Sequence, residues 1–175
     1  MASTKASSRA RPKSGSRTSR RAQSETKKPQ DAIQLLKADH KQVKQLFEKF
    51  EKAEADTDKQ ALADTICKAL TVHATIEEEI FYPAAYDALD EEGDDLLDEA
   101  EVEHASAKDL IAQIQSAKAG EPLFDAKVKV LGEYINHHVQ EEEGELFPEC
   151  RTAKMDLKAL GEQMAQRKAE LQTSA

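Results

Sequence analysis

Four stretches of this chain repeat apolar residues at alternating steps of three and four, and each sets one histidine in the stripe where a leucine is expected. A stripe of that period is the buried seam of a packed α-helix. The first reads Ile33, Leu36, His40, Val43, Phe47 and Phe50; the second Leu62, Ile66, Ala69, His73, Ile76 or Glu77, and Ile80. The third reads Leu97, Ala100, His104, Ala107, Ile111 and Ile114; the fourth Phe124, Val128, Leu131, Ile135, His138 and Glu142. A single seam histidine is usually a core imidazole bonded to a neighbour. One in each of four helices asks for a common reason.

The punctuation agrees with helices throughout. Asp31 and Gln34 form a capping box just after Pro29. Pro83 predicts the end of the second helix or a kink in it, and the stretch Asp90 to Asp95 reads as a turn before the third. Gly120 and Pro122 mark the next turn, and the fourth helix is expected to run to Pro148. A shorter stripe, Leu157, Leu160, Met164 and Leu171, predicts a fifth helix that docks on the bundle or meets a partner. With 175 residues and only six Gly and five Pro, the expectation is one all-α domain.

Residues 1–30 stand apart. They hold nine Lys/Arg against one acid and no Val, Ile, Leu or aromatic residue, so a disordered basic tail is expected. The net charge of -9 therefore hides an acidic body. Such a body repels nucleic acid and anionic membrane, leaving weak contact through the tail as the one nucleic-acid expectation. No apolar run approaches the ~20 residues that span a bilayer. Cys67 and Cys150 follow no metal-binding spacing, so reduced thiols and a cytoplasmic setting are expected.

The histidines also mark an internal repeat. His40 to His73 spans 33 residues and His104 to His138 spans 34. His73 and Glu77 match His138 and Glu142, and Phe81-Tyr82-Pro83 answers Leu146-Phe147-Pro148, so the halves read as two copies of one helical hairpin. At 1.5 Å per residue each histidine lies roughly 14–15 Å from the same end of an up-down-up-down bundle. All four imidazoles should meet in one layer, with Glu77 and Glu142 one turn away and also directed inward.

Buried carboxylates need a compensating charge and buried imidazoles need partners. A pair of metal ions answers both. Imidazole and carboxylate without thiolate suit iron or manganese, although zinc and copper accept the same ligands. The candidate ligands are His40, His73, Glu77, His104, His138 and Glu142, with the glutamates as bridges. A structural polar layer or a single zinc site is the competing reading. His137, beside the stripe, reads as a surface or supporting group. Glu78, Glu141 and Glu143 read as solvated carboxylates, and Tyr134 as core.

At these residues the chain resembles the hemerythrin-like, or HHE cation-binding, family. The resemblance rests on Asp39-His40-Lys41 with Leu46-Phe47, the two HxxxE pairs, and His104, and it covers about residues 31–150. It implies a hemerythrin-type four-helix bundle, here with a C-terminal helix over 151–175, around two non-haem iron ions, oxo- or hydroxo-bridged, with Glu77 and Glu142 bridging. Oxygen-carrying hemerythrins have a fifth histidine one turn after the third; here that position is Lys108. With four histidines both irons keep an open position. The expected function is binding or sensing of iron and of O₂ or a related small oxidant. The alternatives are a peroxide-decomposing, catalase-like enzyme and an interaction module using the tail or fifth helix, with no protein partner identified.

Overall fold

The computed structural model describes Met1 and residues 31–173. The basic tail therefore lies outside the described residues apart from Met1. Asp31 caps α1 (Ala32–Lys52), its Oδ1 accepting the Gln34 N–H at 2.8 Å. Three residues later α2 (Asp56–Ile76) begins. It passes through a π-helical turn, Glu77–Phe81, into the short α3 (Tyr82–Tyr86). The second half repeats the plan with α4 (Glu91–Gln115), α5 (Phe124–Glu141), a π-helical turn Glu142–Leu146, and α6 (Phe147–Thr152). The chain then enters α7 (Leu157–Thr173). Among the described residues every regular element is helical, and no helix is long and apolar enough to cross a membrane.

Two local expectations change. Asp90 to Asp95 is not a turn: α4 starts at Glu91, and Glu91, Glu92 and Asp94 crowd its first turn. Acidic side chains there complement the positive end of the helix dipole, which is why an apparently turn-like run is helical. Neither Pro83 nor Pro148 ends its helix. Each follows a π-turn in which the N–H of the preceding residue, Tyr82 or Phe147, reaches back five residues to Glu77 or Glu142. The wider turn accommodates a ring that would clash with the carbonyl four residues earlier in a regular helix. Gly120 turns the chain from α4 towards α5 at φ 86°, and a Cβ there would lie 2.7 Å from Asp56 Oδ2.

Helices α1, α2, α4 and α5 pack in a ring, α1 on α2, α2 on α4, α4 on α5 and α5 on α1. Their apolar stripes form two clusters. One gathers Ile33, Leu36, Ile76, Phe81, Leu97, Leu146 and Phe147; the other Val43, Ile66, Leu70, Ile111, Ile114, Phe124 and Leu131. The histidine-bearing turns lie between them in sequence on every helix. Helix α7 docks on α1 and α2, burying Gly161 and Met164. Arg167 fixes it by a paired contact to Glu79 at 2.6 and 3.0 Å. Cys67 and Cys150 are buried free thiols. Tyr134, expected in the core, is half exposed, because its position on α5 turns away from the stripe.

Candidate metal centre

His40, His73, Glu77, His104, His138 and Glu142 come together, each no more than 6% exposed. The histidines meet in pairs. His40 Nε2 is 3.1 Å from His73 Nε2, and His104 Nε2 is 3.2 Å from His138 Nε2. Two nitrogens held at right angles about 2.1 Å from one ion are about 3 Å apart, so each pair has the spacing of ligands on a single ion. Both glutamates span the pairs. Glu77 places Oε1 3.2 Å from His73 Nε2 and Oε2 3.5 Å from His104 Nε2. Glu142 Oε2 lies 3.2 Å from His40 Nε2 and 3.5 Å from His138 Nε2.

Each imidazole is oriented from behind by a carboxylate at Nδ1. His40 meets Glu143 at 2.9 Å, His104 meets Glu78 at 2.9 Å, His138 meets Glu103 at 2.8 Å, and His73 faces Asp39 at 3.5 Å. At His40, His104 and His138 the carboxylate accepts the Nδ1–H and leaves Nε2 free to bind a cation, whereas Asp39 approaches His73 only as a charge. The arrangement repeats between the halves. The residue before His40 or His104 serves the histidine of the next helix, and the residue after Glu77 or Glu142 serves the other half. Lysines back three of these carboxylates: Lys37 on Glu143 at 3.2 Å, Lys108 on Glu78 at 2.6 Å, and Lys168 of α7 on Asp39. Lys108 thus supports the carboxylate behind His104.

The charges fit a cation-binding layer. Burial presses the His73 imidazolium down, but Glu77, Asp39 and Glu142 outweigh it and push the pKa up to about 10. Burial opposes ionisation of Glu142, yet the charges of His138, His40 and His73 hold it at about 2. His138 is also raised, burial being overcome by Glu142 and Glu103. Even so, both Glu77 oxygens, Glu142 Oε2 and His73 Nδ1 are buried without a hydrogen-bond partner. Orphaned carboxylate oxygens facing four imidazoles are atoms shaped for a metal, and the donor set fits one.

The π-turns add an aromatic lid. In a regular helix, residues five apart point about 140° away from each other; the wider turn returns Tyr82 to the face of Glu77, and Phe147 to that of Glu142. Tyr82 stacks on His104 with ring centroids 5.5 Å apart, and Phe147 stacks on His40 at 5.8 Å. Only Tyr82 carries a hydroxyl, which donates to Glu142 Oε1 at 3.0 Å and lies 3.4 Å from His104 Nε2. Opposite this lid, a cavity of about 20 Å³ touches all four histidines and is walled by Val43, Leu70, Ala107 and Ile111. It has room for one molecule of about the size of water.

Sequence reasoning missed Asp39, Glu78, Glu103, Glu143 and Tyr82. Glu78 and Glu143, read as solvated, are only about one-third exposed and hold histidines of the buried layer. The missed signal was the acid before His40 and His104 and the doubled glutamates at Glu77-Glu78 and Glu142-Glu143, which recur in both halves. His137 is exposed, 3.1 Å from Glu141 and 3.7 Å from Glu103.

Known proteins share this architecture. The solved structure of a hemerythrin HHE cation-binding domain-containing protein from Mycobacterium kansasii superposes with a TM-score of 0.70 at 27% identity, over 83% of this chain and 89% of that one. A protein of Nostoc sp. (strain PCC 7120) named DNA nickase is 32% identical over 117 residues, 67% of this chain. The chain spans about a third of the length of that relative. The model of the hemerythrin HHE cation-binding domain matches residues 31–150. This chain belongs to the hemerythrin HHE cation-binding domain family.

Proposed function

We propose that the layer holds a non-haem di-iron centre that binds O₂ or a related small oxidant, or senses iron. One ion is assigned to His40 and His73 and the other to His104 and His138, with Glu77 and Glu142 shared. The observation that carries this reading is the set of orphaned glutamate oxygens spanning two imidazole pairs. Iron, when bound, supplies reversible redox chemistry and open positions for a small oxidant. The chain supplies the rest. Four outer carboxylates hold the imidazoles in the ligating tautomer, apolar walls limit the cavity to a small molecule, and Tyr82 holds one oxygen of Glu142. Two imidazoles for each ion, with Lys108 in place of a fifth histidine, favour peroxide chemistry, iron sensing or iron buffering over simple oxygen carriage.

Metal analysis after anaerobic reconstitution tests the assignment. Two irons per chain are expected, and less than one refutes it. Glu77→Ala and Glu142→Ala should each lose the pair, whereas Glu141→Ala should keep both ions at equilibrium; equal retention by all three shows that the bridges are misassigned. A reversible oxy-band in air marks binding, and rapid O₂ evolution from peroxide marks the enzyme.

A further inference from the structure

The four outer carboxylates differ in what stands behind them. Glu143, Asp39 and Glu78 each have a lysine. Glu103 has none among the described residues; its outward oxygen faces His137, which in turn meets Glu141. We propose that His137, Glu103 and Glu141 form a third cation site, at the surface, through which divalent metal ions reach the buried layer. The inference rests on the two-metal reading of that layer.

The geometry has three parts. His137 and Glu141 are one turn apart on α5 and Glu103 comes from α4, so two helices clamp the position. His137 Nε2 lies 3.1 Å from Glu141 Oε1 and 3.7 Å from Glu103 Oε1, which brackets the separation of ligands around one small cation. One imidazole and two carboxylates are borderline-to-hard donors of the kind that bind Fe²⁺, Mn²⁺ or Zn²⁺. The group is also half exposed: the His137 side chain is 62% accessible, against 5% for His138. An ion there keeps part of its water and exchanges with solvent.

A route leads inward from it. A recess of about 10 Å³ is lined by Glu99, Glu103 and Glu141 on the outside and by His138 and Glu142 within. That is about the space of one water or one partly dehydrated ion. At its inner end is Glu142, 2% exposed, whose Oε2 has no hydrogen-bond donor. Glu103 belongs to both sites, one oxygen facing His137 and the other accepting from His138 Nδ1 at 2.8 Å. In the other half the matching carboxylate, Asp39, is covered by Lys168, and Val72 and Ile76 stand where His137 and Glu141 would be. Among the described residues the Asp39 side therefore has no imidazole to match His137.

The test uses full-length protein stripped of metal. Equilibrium dialysis against Co²⁺ should give three ions per chain, one of them weak, and two for His137→Ala and His137→Lys. Anaerobic Fe²⁺ loading, followed by absorbance, should slow at least tenfold in both variants while the final spectrum is unchanged. The lysine variant places a cation behind Glu103 without a ligand, so normal loading by it alone would show that a positive charge there suffices and overturn the proposal. Two Co²⁺ in the wild type, or wild-type loading rates in both variants, also overturns it. Failure of the buried site looks different: at most one Co²⁺ in the wild type, and the same count in Glu77→Ala.

Discussion

Tyr82→Phe isolates one bond in the centre. The substitution keeps the ring, its burial at 1% exposure and its stacking on His104, and removes only the hydroxyl that donates to Glu142 Oε1. Its acceptor is ionised, since the surrounding imidazoles hold Glu142 at about 2 against the cost of burial. The phenol remains a donor, because burial and the charges of Glu77 and Glu142 raise its own pKa well above the ordinary value. A buried hydrogen bond to a charged group contributes about 1.5–3 kcal/mol. For a chain of this length each kcal/mol moves the melting point by about 2–4 °C, so metal-free Tyr82→Phe should melt roughly 3–12 °C lower. With metal bound, a cation neutralises Glu142 and the loss should fall to less than half. Thermal unfolding followed by circular dichroism, in chelator and in metal, measures both. An equal loss in the two states, or none in either, refutes the claim that Tyr82 and a cation share one carboxylate.

The repeat makes a reciprocal case. Phe147→Tyr should supply a second phenol to Glu77, whose oxygens have no hydrogen-bond partner, and raise the melting point of the metal-free protein by a few degrees; a fall shows that the two lids are not equivalent. Glu78→Gln weakens the hold on His104 Nδ1 and should reduce metal affinity by about 10–100-fold in a competition titration with a chelator; unchanged affinity argues against orientation from behind. Metal removal should also change the pH dependence of stability. His73 is raised, so its contribution is complete below 6.5 and lost as pH rises through about 10, while that of Glu142 is complete above 4.5 and lost as pH falls through about 2. Stripped protein should therefore lose melting temperature above neutral pH, whereas loaded protein, whose ligands have released their protons, should not. A stripped protein that gains stability over that range contradicts the charge balance.

The helices and their histidine layer were legible because helical period is a property of sequence. His40 and His104 replace leucine in a seam, and each is the one polar residue of its own stripe. The π-turns were not legible: Pro83 and Pro148 say that something happens to the helix, but not that a widened turn lets it continue. That difference decided Tyr82, whose direction reverses with the period. Tyr134 failed by angle, since one turn before His138 it lies about 40° to the opposite side of that histidine from Leu131, Ile135 and Glu142, on the flank of the helix. The outer carboxylates were hidden because Glu78 and Glu143 look like any solvated glutamate until a histidine from another hairpin is placed against them.

The two hairpins supply equivalent ligands but unequal surroundings, and both inequalities fall on one side. Tyr82 stacks on His104, and His137 with Glu141 stands behind His138 through Glu103. The opposite pair, His40 and His73, has a bare Phe147 ring over it and two lysines, Lys37 and Lys168, closing its outer carboxylates. A lysine cannot ligate while it is protonated, and Lys168 is brought in by α7, so docking of that helix places a cation on Asp39 behind His73. The His104–His138 side has one lysine, Lys108, and one carboxylate left to an exchangeable partner. Repetition of the hairpin accounts for the two equivalent histidine pairs. On the two-metal reading, the residues just outside the pairs, lysines on one side and His137 with Glu141 on the other, are what would make the two positions differ in exchange.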